Sequence, residues 1–343
     1  MRLIFMGTPE AAVPTLRRCV EDGHEVVAVW TQPDRPAGRG NRLTAPPVKE
    51  FALSKGLEVH QPSKIKTDEA FAQFASYEAD AAVVVAYGRI LPSAFLRAPR
   101  RGCVNVHFSL LPKYRGAAPV NWAIVHGERE TGVTTMLIDE GLDTGDLLLQ
   151  RATKIGERET APELLERLAH EGAELLSETL ARLDEIEPQP QRDAEATLAP
   201  LLRREDGKID WTSEASEIER RVRGFQPWPN AYTVFESTRL VVWRAEVAER
   251  RESSGESLRG VGAIETEEAG ERAGELEELG ESFTVEDSLR PGVIAEAQGD
   301  SLVVACGGGT SLRLLEVQAE GKRRMSARDF LNGMRVSAGE RLG

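Results

Sequence analysis

Three polar side chains stand out by type and spacing: Asn105 and His107 in the stretch GCVNVHF, and Asp143 in GLDTGDLL. Residues two apart in an extended strand share a face, so Asn105 and His107 project together while Val104 and Val106 point the other way. An amide beside a protonated imidazole offers hydrogen bonds to one carbonyl oxygen, and donors so placed act most strongly once that oxygen becomes an oxyanion. Asp143 lies between Gly141 and Gly145, in a loop able to bring a carboxylate to a neighbouring strand end. There it would orient the imidazole and favour its charged form. Asp146 of the same loop reads as structural. No nucleophile accompanies the trio: Ser109 lacks a small-residue elbow, and Cys103 has no base beside it. The pattern predicts direct transfer between two bound substrates rather than a covalent enzyme intermediate. Residue types alone leave a structural alternative open, in which the histidine and asparagine bond nearby loops and GLDTGD is a turn using aspartate locally. His24 and His60 lie near strand starts, and His126 and His170 fall in helical patterns, so no metal cluster is expected.

These groups need a scaffold that ends a strand in the right place. RLIFMG stops at Gly7-Thr8-Pro9 and is followed by a helical pattern from about Ala11 to Glu21 and by HEVVAVWTQ, the strand, helix, strand opening of a parallel sheet. DAAVVVAYG and GCVNVHF are apolar runs of the kind that parallel strands show when both faces are covered. GVTTMLID adds a further strand, and TAPELLERLAHEGAELLSETLARL reads as a long amphipathic helix with Thr160 as N-cap. Residues 1–183 thus read as one α/β domain. Such sheets bind ligands beyond the carboxyl ends of their strands, where Asn105 and His107 fall. The bare Gly7-Thr8-Pro9 turn lacks the glycine spacing of a dinucleotide fingerprint, which counts against a dehydrogenase. Residues 184–207, with DEIEPQPQRDAEATLAP, read as a linker. In 208–343, SEASEIERRVRGF suggests a short helix and PWPNA a rigid turn. YTVFE, RLVVWRAEV, PGVIAEA, DSLVVAC and SLRLLEVQ are short strands of a small β-barrel or sandwich.

Composition sets the outer limits. At 343 residues, 41% hydrophobic and 29% charged, the chain has the make-up of a globular protein of two domains or three. No window approaches the roughly 20 apolar residues of a membrane span, and MRLIFMGTPE lacks a signal-peptide pattern, which predicts a cytoplasmic protein. Cys19, Cys103 and Cys306 are odd in number and far apart, against a disulfide framework or a zinc site. The net charge of −13 disfavours a nucleic-acid partner until it is divided along the chain. Residues 249–287 hold 13 acidic and 4 basic residues. That segment, rich in Gly, Ser and Glu, reads as a mobile surface insertion, the alternative being a solvated helix at GERAGELEEL. Residues 288–343 carry 8 basic against 6 acidic residues, so a basic surface remains available.

NVHFSLLPKYRGAAPVNWAI and GVTTMLIDEGLDTGDLL together closely resemble the formyltransferase family that uses 10-formyltetrahydrofolate. FMGTPEAAVPTL, VVVAYGRILP, KIDW and FQPWPNAYT extend the resemblance over nearly the whole chain, and TQPDRPAGRG and GKRRMSARDFLNG narrow it to members that act on initiator methionyl-tRNA. The resemblance implies a Rossmann-like parallel-sheet domain followed by a C-terminal β-barrel resembling an OB-fold. It implies Asn105, His107 and Asp143 as catalytic groups, with the folate as a co-substrate and no metal. Ser109, Leu110, Leu111 and Pro112 would lie along the folate, and backbone of Tyr87, Gly88, Arg89, Ile90 and Leu91 would face its pterin ring. Arg35, Arg39, Arg42 and Lys49 in the loop of residues 34–49 would meet the tRNA, as would Lys322, Arg323 and Arg324. On its own that loop would pass for an ordinary solvated one. No obligate protein partner is evident. Two features depart from the family pattern: the acidic insertion, and Phe108 where a small residue is expected. Strand alternation points that ring away from His107. The competing readings are a sugar-nucleotide N-formyltransferase, which would not explain the basic loop or GKRRM, and a non-catalytic RNA-binding protein, which would not need all three polar groups.

Overall fold

The computed structural model describes residues 1–37, 40, 42–248 and 290–343; Arg39 and the acidic segment 249–287 lie outside the described residues. The chain divides into two units, Met1–Gly207 with Arg223–Asn230, and Lys208–Val222 with Ala231–Gly343.

The strands of the first unit are β1 (Arg2–Gly7), β2 (Glu25–Trp30), β3 (Arg35–Ala37), β4 (Arg42–Thr44), β5 (Val59–His60), β6 (Ala81–Val85), β7 (Cys103–His107), β8 (Arg115–Gly116), β9 (Glu130–Leu137), β10 (Leu147–Lys154) and β11 (Leu198–Ala199). Its helices are α1 (Val13–Glu21), α2 (Pro47–Ser54), α3 (Asp68–Ser76), α4 (Ser93–Arg97), α5 (Pro119–Val125) and α6 (Ala161–Ala181). Seven strands form one sheet in the order β10-β9-β7-β6-β1-β2-β5. From β7 to β5 the pairs are parallel, while β9 and β10 run antiparallel. The sheet is therefore Rossmann-like but mixed, because β9 and β10 are joined by a loop too short for a crossover.

Alternation along the strands divides the core. Leu3, Phe5, Val83, Val104 and Val106 pack with Leu16 of α1 and Leu168 of α6. Ile4, Met6, Ala82, Val84 and Cys103 pack with Phe74 of α3 and Phe95 of α4. Both faces are covered, which is why these strands read as unbroken apolar runs. Helix α6 opens with a capping box between Thr160 and Glu163. It comes so close to the sheet at Gly172 that a Cβ there would stand 2.8 Å from Val106 Cγ1.

Residues 184–207 are tied to this unit rather than spanning freely. Gln189 and Leu147 exchange backbone hydrogen bonds of 2.8 and 2.9 Å, and β11 pairs in parallel with β8. Backbone pairing needs no apolar periodicity, so the sequence of this segment carries no sign of it.

The second unit contains β12 (Ala231–Phe235), β13 (Thr238–Val247), β14 (Ile294–Gln298), β15 (Ser301–Ala305), β16 (Ser311–Ala319) and β17 (Met325–Ser326). Helix α7 (Ala215–Gly224) begins in it and ends in the first unit, and α8 (Ala327–Gly333) lies near the end of the chain. The antiparallel order is β12-β13-β16-β15-β14, with β17 on β16. Residues 339–343 bond both outer strands: the Gly343 N–H reaches Val234 of β12 at 3.0 Å, and the Gly339 N–H reaches Ile294 of β14 at 2.9 Å. The tail thus joins the two edges, in the manner of a small barrel. Trp211, Ile218, Val242, Leu314, Phe330 and Leu342 form the core. Among the described residues no helix is long and apolar enough to cross a membrane.

Candidate active site

Strand β7 runs between β6 and β9, with Asn105 opposite Val84 and His107 opposite Thr134. His107 is buried at its carboxyl end, and Nε2 lies 2.9 Å from the carbonyl oxygen of Tyr114. A carbonyl only accepts, so Nε2 carries a hydrogen in both charge states of the ring, and Nδ1 is the nitrogen that gains or loses a proton. Nδ1 faces Asp143 Oδ2 at 3.8 Å, near enough for charge attraction but too far for a hydrogen bond. The bond that orients the ring therefore comes from Tyr114 rather than from the carboxylate.

Tyr114 is itself fixed from several sides. Its N–H donates to Thr197 Oγ1 at 2.8 Å and its hydroxyl to Glu128 Oε1 at 2.9 Å, with φ at 62°. Burial, and then the bond to Glu128, push the phenol above its ordinary range, so it remains a donor.

Asp143 has a left-handed backbone, φ 53°, and its Oδ2 accepts the Gly116 N–H at 2.8 Å. The Thr144 hydroxyl donates to the Asp139 carboxylate at 2.7 and 2.9 Å, which braces the loop between β9 and β10. Gly145 can carry no side chain, since a Cβ would sit 1.8 Å from the Leu137 carbonyl oxygen. Asp146 takes part through its backbone, accepting the Leu137 N–H at 2.9 Å. The Asn105 side chain is half-buried and makes no hydrogen bond to another described residue. An amide, the Nδ1 edge of an imidazole and a carboxylate thus gather at one strand end, able to polarise a carbonyl and to accept a proton.

Residues 1–180 match the family description "Formyl transferase", and residues 201–335 match "Formyl transferase, C-terminal domain". The chain belongs to the formyltransferase family. It is 45% identical over 342 residues to the methionyl-tRNA formyltransferase of Caldanaerobacter subterraneus subsp. tengcongensis, covering 99% of both chains. With that of Acidobacterium capsulatum it shares 47% identity over 346 residues, 100% of both. Among solved structures, the N-formyltransferase from Helicobacter canadensis, in complex with folinic acid and dTDP-3-aminofucose, has a TM-score of 0.58 at 17% identity. That match covers 91% of this chain and 98% of the other, and it is a likeness of fold.

In this formyltransferase the residues expected along a folate differ in what they expose. Ser109 and Leu111 are buried, the Ser109 hydroxyl donating to the Lys113 carbonyl at 2.6 Å, whereas Leu110 and Pro112 are half-buried. Tyr87 and Leu91 are buried as well, and the Tyr87 carbonyl already accepts from Gln32 Nε2 at 3.0 Å and from the Thr8 hydroxyl at 3.2 Å. Gly88, with φ 78°, and Ile90 are exposed, while Arg89 donates to Gln32 Oε1 at 3.2 Å. The Phe108 ring packs on the side of Val104, Val106 and α6, away from His107.

The basic residues divide in the same way. Arg35 and Arg42 are exposed on the small β3–β4 hairpin, and Lys322 and Arg323 are exposed before β17. Lys49 instead holds both Asp34 oxygens at 2.8 Å. The Arg324 guanidinium pairs with Glu316 and lies 5.0 Å from the centre of the Trp243 ring. A cleft of about 610 Å³ in the second unit, lined by Lys208, Trp211, Pro291 and Arg341 among others, contains none of the residues singled out from sequence.

Sequence reasoning missed Tyr114, Gly116, Gln191 and Thr197. The first two sit in the quoted YRG, but one acts through a carbonyl and the other through an N–H, which residue type does not reveal.

Proposed function

We propose that the chain transfers a formyl group from 10-formyltetrahydrofolate to the α-amino group of initiator methionyl-tRNA, with Asn105, His107 and Asp143 as its catalytic groups. The observation that carries this is the meeting of His107 Nδ1 with Asp143 beyond the end of β7, in a chain whose full-length relatives are methionyl-tRNA formyltransferases.

The loops after β6 and β7 fit a folate. Exposed backbone at Gly88, the exposed Ile90 side chain, and half-buried Leu110 and Pro112 offer main-chain partners and an apolar edge, as a planar heterocycle requires. The folate supplies a formyl group on nitrogen, and its carbon is the electrophile. Asn105 Nδ2–H and, in the charged ring, His107 Nδ1–H are the donors for the formyl oxygen as negative charge develops on it. Asp143 accepts the proton shed by the attacking amine and returns it to the leaving nitrogen, so proton count is restored at the end of the turnover. With Nε2 held by Tyr114, the imidazole can serve only through Nδ1.

Arg35, Arg39, Arg42, Lys322 and Arg323 supply positive charge to tRNA phosphates. Lys49 and Arg324, whose charges are met by Asp34 and Glu316, brace their loops instead. The three cysteines are free and buried, in keeping with a reducing cytoplasmic setting. A sugar-nucleotide acceptor is disfavoured, because the sugar N-formyltransferases found among solved structures share the fold at only 16–18% identity.

Steady-state formylation of charged initiator tRNA tests the assignment. His107→Ala and Asn105→Ala should each lower kcat by about 10²- to 10³-fold, the usual result of removing one oxyanion donor. Amino-sugar nucleotides should not be formylated. Near-normal turnover by His107→Ala would overturn the mechanism.

A further inference from the structure

The geometry points to Gln191 as a positioning residue that sets where the Asp143 carboxylate stands. Its side chain lies in the segment that reads as a linker, and it reaches across 48 residues of sequence to the catalytic loop. Both hydrogens of Nε2 are engaged: one carbonyl acceptor is Asp143 at 2.9 Å, and the other is Gly145 at 2.7 Å. Oε1 accepts from Arg115 Nε at 3.0 Å and Nη2 at 2.8 Å. Arg115 is only 7% exposed and also bonds Asp193 at 2.9 Å, so the cation is fixed before it meets Gln191. The next residue, Gly116, gives its N–H to Asp143 Oδ2.

One amide therefore joins the strand that grips the carboxylate to the loop that carries it. Donor and acceptor ends cannot be exchanged, because two carbonyls lie on one side and a guanidinium on the other. Asp143 needs such an outside hold: its left-handed φ of 53° is unfavourable for a residue with a side chain, and its bond to Gly116 fixes only the carboxylate end. Misplacement of a reacting group by about 1 Å costs about 100-fold in rate, so losing the hold should appear in turnover.

This inference rests on Asp143 being catalytic, and the experiment separates the two ideas. Gln191→Glu keeps the acceptor for Arg115 but loses both N–H donors, whereas Gln191→Met loses both ends. With the full chain and saturating substrates, both variants should lower kcat about 10- to 100-fold, with KM for tRNA and folate changed by less than about threefold. Gln191→Glu should keep a Tm near that of the parent. In the Asp143→Asn background, Gln191→Glu should add little further loss, because the group it positions no longer works.

Losses that multiply in the double variant, a loss confined to KM, or a Gln191→Glu enzyme of full kcat beside an inactive Asp143→Asn would each overturn the role of Gln191 alone. A fully active Asp143→Asn enzyme would overturn both ideas.

Discussion

At the scale of single residues, the protein holds the two groups proposed to react by backbone atoms. His107 is held by the Tyr114 carbonyl and Asp143 by the Gly116 N–H, while the Tyr114 N–H is held in turn by the Thr197 hydroxyl. The charged side chain Lys49 shows the opposite strategy. Its ammonium, bonded to both oxygens, holds the Asp34 carboxyl below the usual carboxylate range, and the Gln61 amide adds to the effect. A carboxyl depressed in the folded state favours folding above its ordinary pKa, and that contribution is lost as pH falls through the depressed value. Lys49→Met should therefore raise the Asp34 midpoint towards its ordinary value and shrink that contribution. An NMR titration of the Asp34 carboxyl would show it, and an unmoved midpoint would remove Lys49 as the cause. Asn105, His107 and Asp143 were legible in the sequence because polar side chains at period two, and a carboxylate between glycines, are themselves a pattern. Tyr114 and Thr197 were not, since their contact joins main chain to side chain 83 residues apart.

At the scale of elements, β7 is where fold and site meet. One side of it supplies Asn105 and His107, and the other supplies Val104 and Val106 to the core shared with α1 and α6. The position of α6 thus bears on the strand that carries the site. Gly172→Val would force side-chain volume against Val106 and Val133, where a Cβ alone would stand 2.8 and 3.3 Å away. Overpacking of this kind costs about 1–3 kcal/mol. Denaturant unfolding should show that loss, and an unchanged midpoint would mean that α6 moves freely there. Most strands, α1, α6 and α7 follow the periodicity of the sequence. The antiparallel turn of β9 and β10 does not, because an apolar run says which faces are covered but not which way its neighbour runs. The tie of β11 to β8 involves two residues on each side, too short to leave a pattern.

At the scale of the molecule, charge and closure are arranged separately. Acidic residues concentrate in 249–287, outside the described residues, while residues 288–343 are slightly basic. The antiparallel sheet of the second unit depends on its tail, where Leu342 enters the core at 2% exposure while its neighbours bond the outer strands. Leu342→Ala should destabilise that unit by about 2–5 kcal/mol, the range for a buried leucine truncated to alanine. Thermal unfolding would detect it, and a Tm equal to that of the parent would show that the tail is dispensable. The strands of this unit were legible from alternation and turn residues. A barrel was expected there, but the tail that closes it was not, because it acts through backbone bonds made by five residues with no strand-like pattern.

The pairing of Gln189, Gln191, Thr197 and Ala199 with the first unit also bears on where the chain can be cut. A fragment trimmed after residue 183 would retain the three proposed catalytic side chains and their direct bonds to Tyr114 and Gly116, and would lose Thr197 and Gln191, which brace those partners. For the proposed reaction, possession of the three side chains and competence part company at that boundary, and a minimal enzyme has to reach past it.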